Sequence, residues 1–349
     1  MHRIQPLAKV DPAAYDAFVA SHPHSSAYHK RAWLHILQQT YGYAPASLIA
    51  QDENDGITGI LPLMRVSGRL KGRRLVSLPF SHCVPILVRD EAVRTALLDA
   101  AVAMTQDEGY AYLELKLPES PRHDAFQSST LNFTSELSLQ PETDALFAAF
   151  PKANRRNIRN GEQSDFRLRT GESLADFESF YELEISTRHR QGAPIYPPRF
   201  FRLLFEHMKP QVNLYLGSLH GQDVAGILIL HMGERAIYAY GASLRSTELN
   251  RISPGNVLVW RAIQDAKAAG YRIFDFGTTP LHLENLLTFK QHFRPQTFEL
   301  PCWYFLNSRE QLPIIKRDSV SAKLVEGVLR LLPRPLFWRF SSMLLREVG

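Results

Sequence analysis

Apolar residues recur along this chain with two spacings, and the two alternate. Residues 46–50 are strand-like, 51–55 are polar, and residues 56–63 read Gly-Ile-Thr-Gly-Ile-Leu-Pro-Leu, which is the pattern of a β-hairpin. The same order returns at residues 212–219, 220–222 and 223–230, the last reading Asp-Val-Ala-Gly-Ile-Leu-Ile-Leu, so that Gly59 and Gly226 stand 167 residues apart. Further along each half, Leu97, Leu98, Ala101, Met104 and Thr105 keep a helical period, as do Val257, Trp260, Ile263 and Ala266. Each helix ends near a glycine, Gly109 or Gly270, and each is followed by an apolar strand, residues 110–115 or 271–276. Each half therefore predicts hairpin, further strand, helix, strand. A helical crossover of that kind places two strands parallel, so the fold class is α/β with mixed sheets, in two related lobes.

The pattern changes between residues 136 and 210, where a helical connector is expected. Phe147, Ala148 and Phe150 lead into the basic run Lys152-Ala-Asn-Arg-Arg-Asn-Ile-Arg-Asn160, and Phe177, Phe180, Tyr181 and Ile185 mark a later helix. The predicted organisation is a first lobe at 1–135, the connector at 136–210, a second lobe at 211–307 and an amphipathic helical tail at 308–349. In the tail, Leu324, Val325, Val328, Leu329 and Leu332 share one helical side, Pro333-Arg334-Pro335 breaks the chain, and Leu336, Phe337, Phe340, Met343 and Leu344 form a second apolar face. Arg339 and Arg346 lie away from that face and Trp338 at its margin.

Composition adds bounds. The 349 residues, 45% hydrophobic and 21% charged, suffice for two sizeable cores, and the net charge of +5 favours an anionic partner. The two cysteines, Cys83 and Cys302, sit in no zinc or disulfide pattern, and His22, His24, His29 and His35 match no metal spacing, so no metal site is expected. No run approaches the roughly 18 apolar residues of a membrane span, and a cytoplasmic protein, at most peripheral at the inner membrane face, is expected.

The order of motifs resembles the Fem-type peptidyltransferases and their bacterial relatives, which carry two GNAT-like lobes in one chain. The residues that carry the resemblance are Leu61-Pro62-Leu63, Arg73-Arg-Leu-Val-Ser-Leu-Pro-Phe80 and Arg155-Arg-Asn-Ile-Arg159, then Tyr240-Gly-Ala-Ser243, the helix at Trp260–Ile263, Phe274-Asp-Phe-Gly277 and Phe289-Lys290. They span residues 30–305. The resemblance implies N-acyl transfer of an activated acyl or aminoacyl group onto an amine of a cell-envelope or polysaccharide-related acceptor, with acyl-CoA or aminoacyl-tRNA as co-substrate and no permanently bound cofactor. Two alternatives stand beside it: an acyl-CoA-dependent N-acetyltransferase acting on an amino sugar, and a non-catalytic scaffold of the same fold. The chain lacks the long helical arm of some cell-wall members, and Thr278-Thr-Pro-Leu-His282 replaces their glycine-richer pattern.

Lys290 is the first candidate for catalysis. Acyl transfer builds negative charge on the carbonyl oxygen, and a fixed cation stabilises that charge as it develops; the resemblance gives the lysine of the Phe-Lys pair this task. The plain alternative is a surface lysine; Phe289 beside it is a candidate for substrate binding. Asp275, between two phenylalanines on a strand, faces away from both and so either accepts the amine's proton or, since Glu114 stands 161 residues before it, serves a structural task common to both lobes.

Lys152, Arg155, Arg156 and Arg159 fall at i, i+3, i+4 and i+7, one helical stripe suited to the phosphates of a nucleotide-linked or lipid-linked substrate or of tRNA, or to plain solvation. Arg251, Gly255 and Asn256 open the Trp260 helix where a GNAT enzyme would hold a pyrophosphate, though with a single glycine. Tyr238, Tyr240 and Ser243 are candidates for the acceptor cleft or, for the tyrosines, the core. The tail at 320–349 is expected either to pack on the second lobe or to lie on a membrane.

Overall fold

A computed structural model of the chain describes residues 2–69, 71–314 and 320–348. The chain divides into two compact units. The first comprises the described parts of Met1–Asn132, Glu299–Ile315 and Arg346–Gly349. It opens with β1 (Arg3–Pro6), α1 (Pro12–Ser21), α2 (Arg31–Tyr41), β2 (Ala44–Pro45), β3 (Leu48–Gln51) and β4 (Ile57–Leu61), then β5 (Met64–Gly68), β6 (Gly72–Val76), β7 (Leu87–Val88), α3 (Glu91–Asp107) and β8 (Tyr112–Leu115). The strand β9 (Gln127–Ser138) carries the chain into the second unit, the described parts of Phe133–Phe298 and Lys316–Leu345. Its elements are α4 (Thr143–Ala149), α5 (Lys152–Glu162), β10 (Arg167–Gly171), α6 (Leu174–Gln191), α7 (Pro198–Met208), β11 (Val212–Leu219) and β12 (Gln222–Met232). They continue with β13 (Arg235–Ser243), α8 (Thr247–Ile252), α9 (Pro254–Ala268), β14 (Ile273–Pro280) and α10 (Glu284–Gln291). After β15 (Gln296–Leu306) come the tail helices α11 (Val320–Leu331) and α12 (Arg334–Val348).

The two units repeat one topology. In the first, β1 pairs antiparallel with β3, β3 with β4 and β5 with β6, and β6 pairs parallel with β8 across the α3 crossover. In the second, β10-β11-β12-β13 are antiparallel neighbours and β13 pairs parallel with β14 across α9. In the first unit both hairpin strands are interrupted, at Ala46-Ser47 between β2 and β3 and at Pro62-Leu63 between β4 and β5, where proline has no N–H to give a ladder; β11 and β12 run through the equivalent places unbroken. Glu114 pairs with Val76 and Asp275 with Ile237, each at the end of its parallel pair, so the acids 161 residues apart occupy one register position.

The hairpin glycines do not correspond in this way. A Cβ on Gly59 would meet Val93 and Leu97 of α3, whereas a Cβ on Gly226 would meet Phe180 of α6. The crossover helix α9 packs instead with Ala225 and Ile227, the neighbours of Gly226. The alignment of the two glycines is thus one residue out of step, and one residue turns a strand position to the other face.

Each crossover helix builds a core against its own strands. Leu97, Leu98 and Ala101 of α3 pack with Leu61, Leu75 and Leu113. Val257, Trp260, Ile263 and Ala266 of α9 pack with Ile227, Ala236, Phe274 and Phe276. The tail helices form where the periodicity places them; residues 315–319 and 349 of the expected tail lie outside the described residues. Among the described residues no helix is long and apolar enough to cross a membrane.

Candidate active site

Strands β13 and β14 are paired at only three positions, Arg235–Ile273, Ala236–Phe274 and Ile237–Asp275. Both strands continue, to Ser243 and to Pro280, without further pairing to each other among the described residues. The result is a fork with Asp275 at its base. On the other side of β13, Leu228 of β12 pairs with Tyr240 and Ile229 with Tyr238, so Ala239 is an extra residue in a β-bulge.

Asp275 is buried. Its Oδ1 accepts the N–H of Gly277 at 2.7 Å, and Gly277 takes a left-handed φ of 66°, which turns the chain beyond that N–H. Its Oδ2 lies 3.7 Å from Arg235, which is itself bound to Glu136 at 2.6 Å. Burial and the nearby charge of Glu136 push the carboxyl pKa up to about 6, against the pull of the Gly277 N–H, Arg235 and Lys290.

Lys290, in the last turn of α10, is 2% exposed. Its Nζ donates to the carbonyl oxygens of Gly277 and Thr278, both at 3.0 Å. The turn at Gly277 thus serves two ends, giving an N–H to Asp275 and carbonyls to Lys290. An ammonium has three donors, and these two bonds leave one. Burial lowers the lysine pKa to about 8, opposed by the charge of Asp275. At neutral pH the corner therefore holds a protonated amine beside an ionised carboxylate, each poised within reach of physiological pH.

The other expected residues are distributed around this corner. Phe289 joins the core and approaches the N-terminus of α9, where a Cβ on Gly255 would lie 3.5 Å from its ring. Ser253, at a φ of 54°, occupies the position before that helix without a side-chain capping bond. The Asn256 amide is buried and donates to Asn154 of α5 at 2.6 Å, and Asn154 donates to the His292 carbonyl at 2.6 Å. This chain of amides joins α5, α9 and the end of α10. Arg251 is exposed at the end of α8.

On α5, Asn154, Ile158 and Gly161 are buried, and Lys152, Arg156 and Arg159 are exposed on the other side. Arg155 donates to the Ala148 carbonyl at 2.6 Å, and the Arg159 guanidinium lies 5.3 Å over the Phe147 ring. Tyr240 is packed among Tyr196, Phe200 and Phe201, Tyr238 borders the α9 core, and the Ser243 backbone is tied to Thr187 of α6. Their contacts are with the core and with α6, α7 and the segment between those helices.

Arg235, Glu136 and Thr279 take part in the region without having been foreseen. Thr279 is fully buried on β14 with no hydrogen-bond partner for its hydroxyl. Arg235 begins β13 directly after the Gly233-Glu234 turn, a position that reads as solvated, and Glu136 lies on β9, whose polar sequence hides the strand. The N-terminal histidines have local tasks: His29 is buried, accepting the Ser26 N–H at 3.1 Å and donating to the Pro85 carbonyl at 3.0 Å. A cavity of about 220 Å³ lined by Thr170, Phe177, Phe205 and Lys209 lies at the edge strand β10, separated from β14 by β11, β12 and β13.

Residues 150–287, which contain the fork and Asp275, match the family model described as an acetyltransferase (GNAT) domain. No curated protein sequence matches the chain. Among solved structures, FemX superposes with a TM-score of 0.70 at 16% identity, over 87% of this chain and 98% of that one. A tandem GNAT protein from the clavulanic acid biosynthesis pathway, solved without AcCoA, gives 0.55 at 13% identity over 89% and 100%. The C-terminal domain of a protein described as a lysylphosphatidylglycerol synthetase, from Agrobacterium fabrum, gives 0.55 at 13% identity over 91% and 96%. With the repeated strand order and the fork at Asp275, these likenesses give the chain the tandem GNAT fold that FemX shares.

Proposed function

We propose that the protein transfers an activated acyl or aminoacyl group onto an amine, with the Lys290–Asp275 corner as the reaction site. The observation that carries this reading is a buried lysine with one donor to spare, fixed by two carbonyls at the fork where β13 and β14 part. An attacking ammonium must first lose a proton, and a carboxylate with a pKa of about 6 is ionised at neutral pH and able to accept it. The free amine then adds to the donor carbonyl, and the Lys290 ammonium, still protonated below about pH 8, stabilises the oxyanion. Collapse of the intermediate forms the amide, expels the thiolate or ribose oxygen of the donor, and returns a proton to that leaving group.

For the donor, two features support different classes. The N-terminus of α9, with Gly255 against Phe289, supports an acyl-CoA; the exposed cations Lys152, Arg156 and Arg159 support a polyanion such as aminoacyl-tRNA. For the acceptor, the basic balance of the chain supports an anionic, envelope- or polysaccharide-related amine, whether a soluble amino sugar or a lipid-linked precursor. Thermal-shift measurement against CoA thioesters and aminoacyl-tRNA separates the donors, since a ligand at 100 times its dissociation constant stabilises by about 2.7 kcal/mol. Stabilisation by neither class, together with no amide formation, would sink the transfer reading.

A further inference from the structure

The tail is anchored by one side and bare on the other. Leu329 and Phe337 are fully buried, His189 of α6 bonds the Leu332 carbonyl at 2.8 Å and stacks edge-on against Phe337 at 4.9 Å, and Arg330 bonds the Gln191 carbonyl at 3.2 Å. Yet Leu324, Val328, Leu331, Leu336, Trp338 and Met343 are between 39% and 86% exposed. These six are the majority of the ten large exposed apolar residues among the described ones, and all fall within two consecutive helices. Such a concentration is not the scatter of single apolar residues normal on a soluble surface.

The positions follow a rule. Leu324, Val328 and Leu331 stand at i, i+4 and i+7 on α11, and Leu336, Phe340 and Met343 repeat that spacing on α12. Each is a stripe turned away from its helix's buried residues, Leu329 on α11 and Phe337, Ser341 and Leu345 on α12. Each stripe has an exposed cation at its flank, Lys323 or Arg339, and the Arg339 guanidinium lies 5.6 Å over the Trp338 ring. Arg330 and Arg334 are engaged on the packed side, with Glu326 and with Glu182 of α6. A bilayer surface accepts this arrangement readily: apolar stripes enter the acyl boundary, cations meet lipid phosphates, and tryptophan sits at the headgroup level.

We infer that the outward stripes of α11 and α12 are a docking surface for an anionic phospholipid bilayer, on which both helices lie in the interface plane. The inference is independent of the transfer reading, because none of these residues belongs to the Lys290–Asp275 corner. It is tested by co-sedimentation of the full chain with phosphatidylcholine vesicles, with and without phosphatidylglycerol, at low and high salt. The wild type is expected to pellet with the phosphatidylglycerol vesicles at low salt and to be released by high salt, because screening acts on the charge contribution. The double variant Leu331→Glu/Leu336→Glu should bind at least about tenfold more weakly, and Lys323→Glu/Arg339→Glu should lose the preference for anionic lipid. All four positions are exposed, so melting temperature and circular dichroism should stay at wild-type values and separate lost docking from lost folding. Wild type remaining in the supernatant under the favourable condition would overturn the inference. So would pelleting unchanged by both variants, or a dimer seen by sedimentation velocity that Leu331→Glu/Leu336→Glu disperses while the wild type ignores vesicles.

Discussion

Replacing Lys290 by Met removes a buried charge while keeping much of the side chain's volume, and its consequences for folding can be worked out from the corner itself. In the folded protein the ammonium titrates near pH 8 instead of 10.5, so between those values the unfolded chain holds a proton that the folded chain has released. Stability must therefore rise with pH across this window. At 1.36 kcal/mol per unit the rise amounts to roughly 3 kcal/mol. The opposite sign holds for Asp275, whose folded pKa is raised from 3.8 to about 6: stability falls as pH rises through that range, by a similar amount of roughly 3 kcal/mol. Lys290→Met should abolish the alkaline rise. It should also carry the acid-side fall to higher pH, because the lysine charge is one of the influences that hold Asp275 down.

At neutral pH two effects oppose each other in this variant. The Gly277 and Thr278 carbonyls lose their donor, at about 1–3 kcal/mol for a buried group left unsatisfied, while the burial cost of the charge disappears. The variant should consequently fold, with its change concentrated in the pH slope. Urea unfolding followed by tryptophan fluorescence from pH 5 to 10.5, run beside the wild type, measures this directly. Equal alkaline slopes in the two proteins would refute the argument that Lys290 is the buried, depressed group. In the transfer assay the same variant should lose on the order of 100-fold or more in turnover, as expected when a transition-state donor is deleted.

Glu136→Gln should lower the Asp275 pKa and shift the acid limb of the kcat/KM profile to lower pH, and Arg235→Gln should shift it to higher pH; limbs that stay in place would place the essential base elsewhere. Gly226→Ala brings a Cβ to 2.7 Å from the Phe180 ring and should cost about 1–3 kcal/mol by overpacking, read as a lower urea midpoint. Arg155→Ala/Arg156→Ala should weaken binding of an anionic donor and flatten its dependence on salt; a binding curve identical to wild type across ionic strength would leave α5 as a solvated face.

The chain's local patterns are enough to specify several elements. The apolar periods of α3 and α9, the two hairpins, the strands that follow each helix, and both tail helices are written in spacings of two and 3.6 residues, which need no distant partner to be read. The long offset between Glu114 and Asp275 likewise marked one register position, because a right-handed crossover constrains where the second strand can lie. The strands β9, β10 and β15 were not legible. Along β9 the sequence Gln127-Ser-Ser-Thr-Leu-Asn-Phe-Thr-Ser-Glu-Leu-Ser138 has little apolar alternation, and its strand state depends on neighbours far along the chain.

The candidate site divides in the same way. Lys290 and Asp275 could be singled out by residue type and motif, but their proton affinities come from burial, from Glu136 and Arg235 on other strands, from each other's charge and from the Gly277 N–H that Asp275 accepts. Likewise Asn256 could be placed at the start of a helix, but only packing reveals that its amide is committed to Asn154. A sequence fixes which groups are available and which face of its own element each occupies. Desolvation and the field of remote charges arise only when separate elements meet, and these decide which groups become reactive.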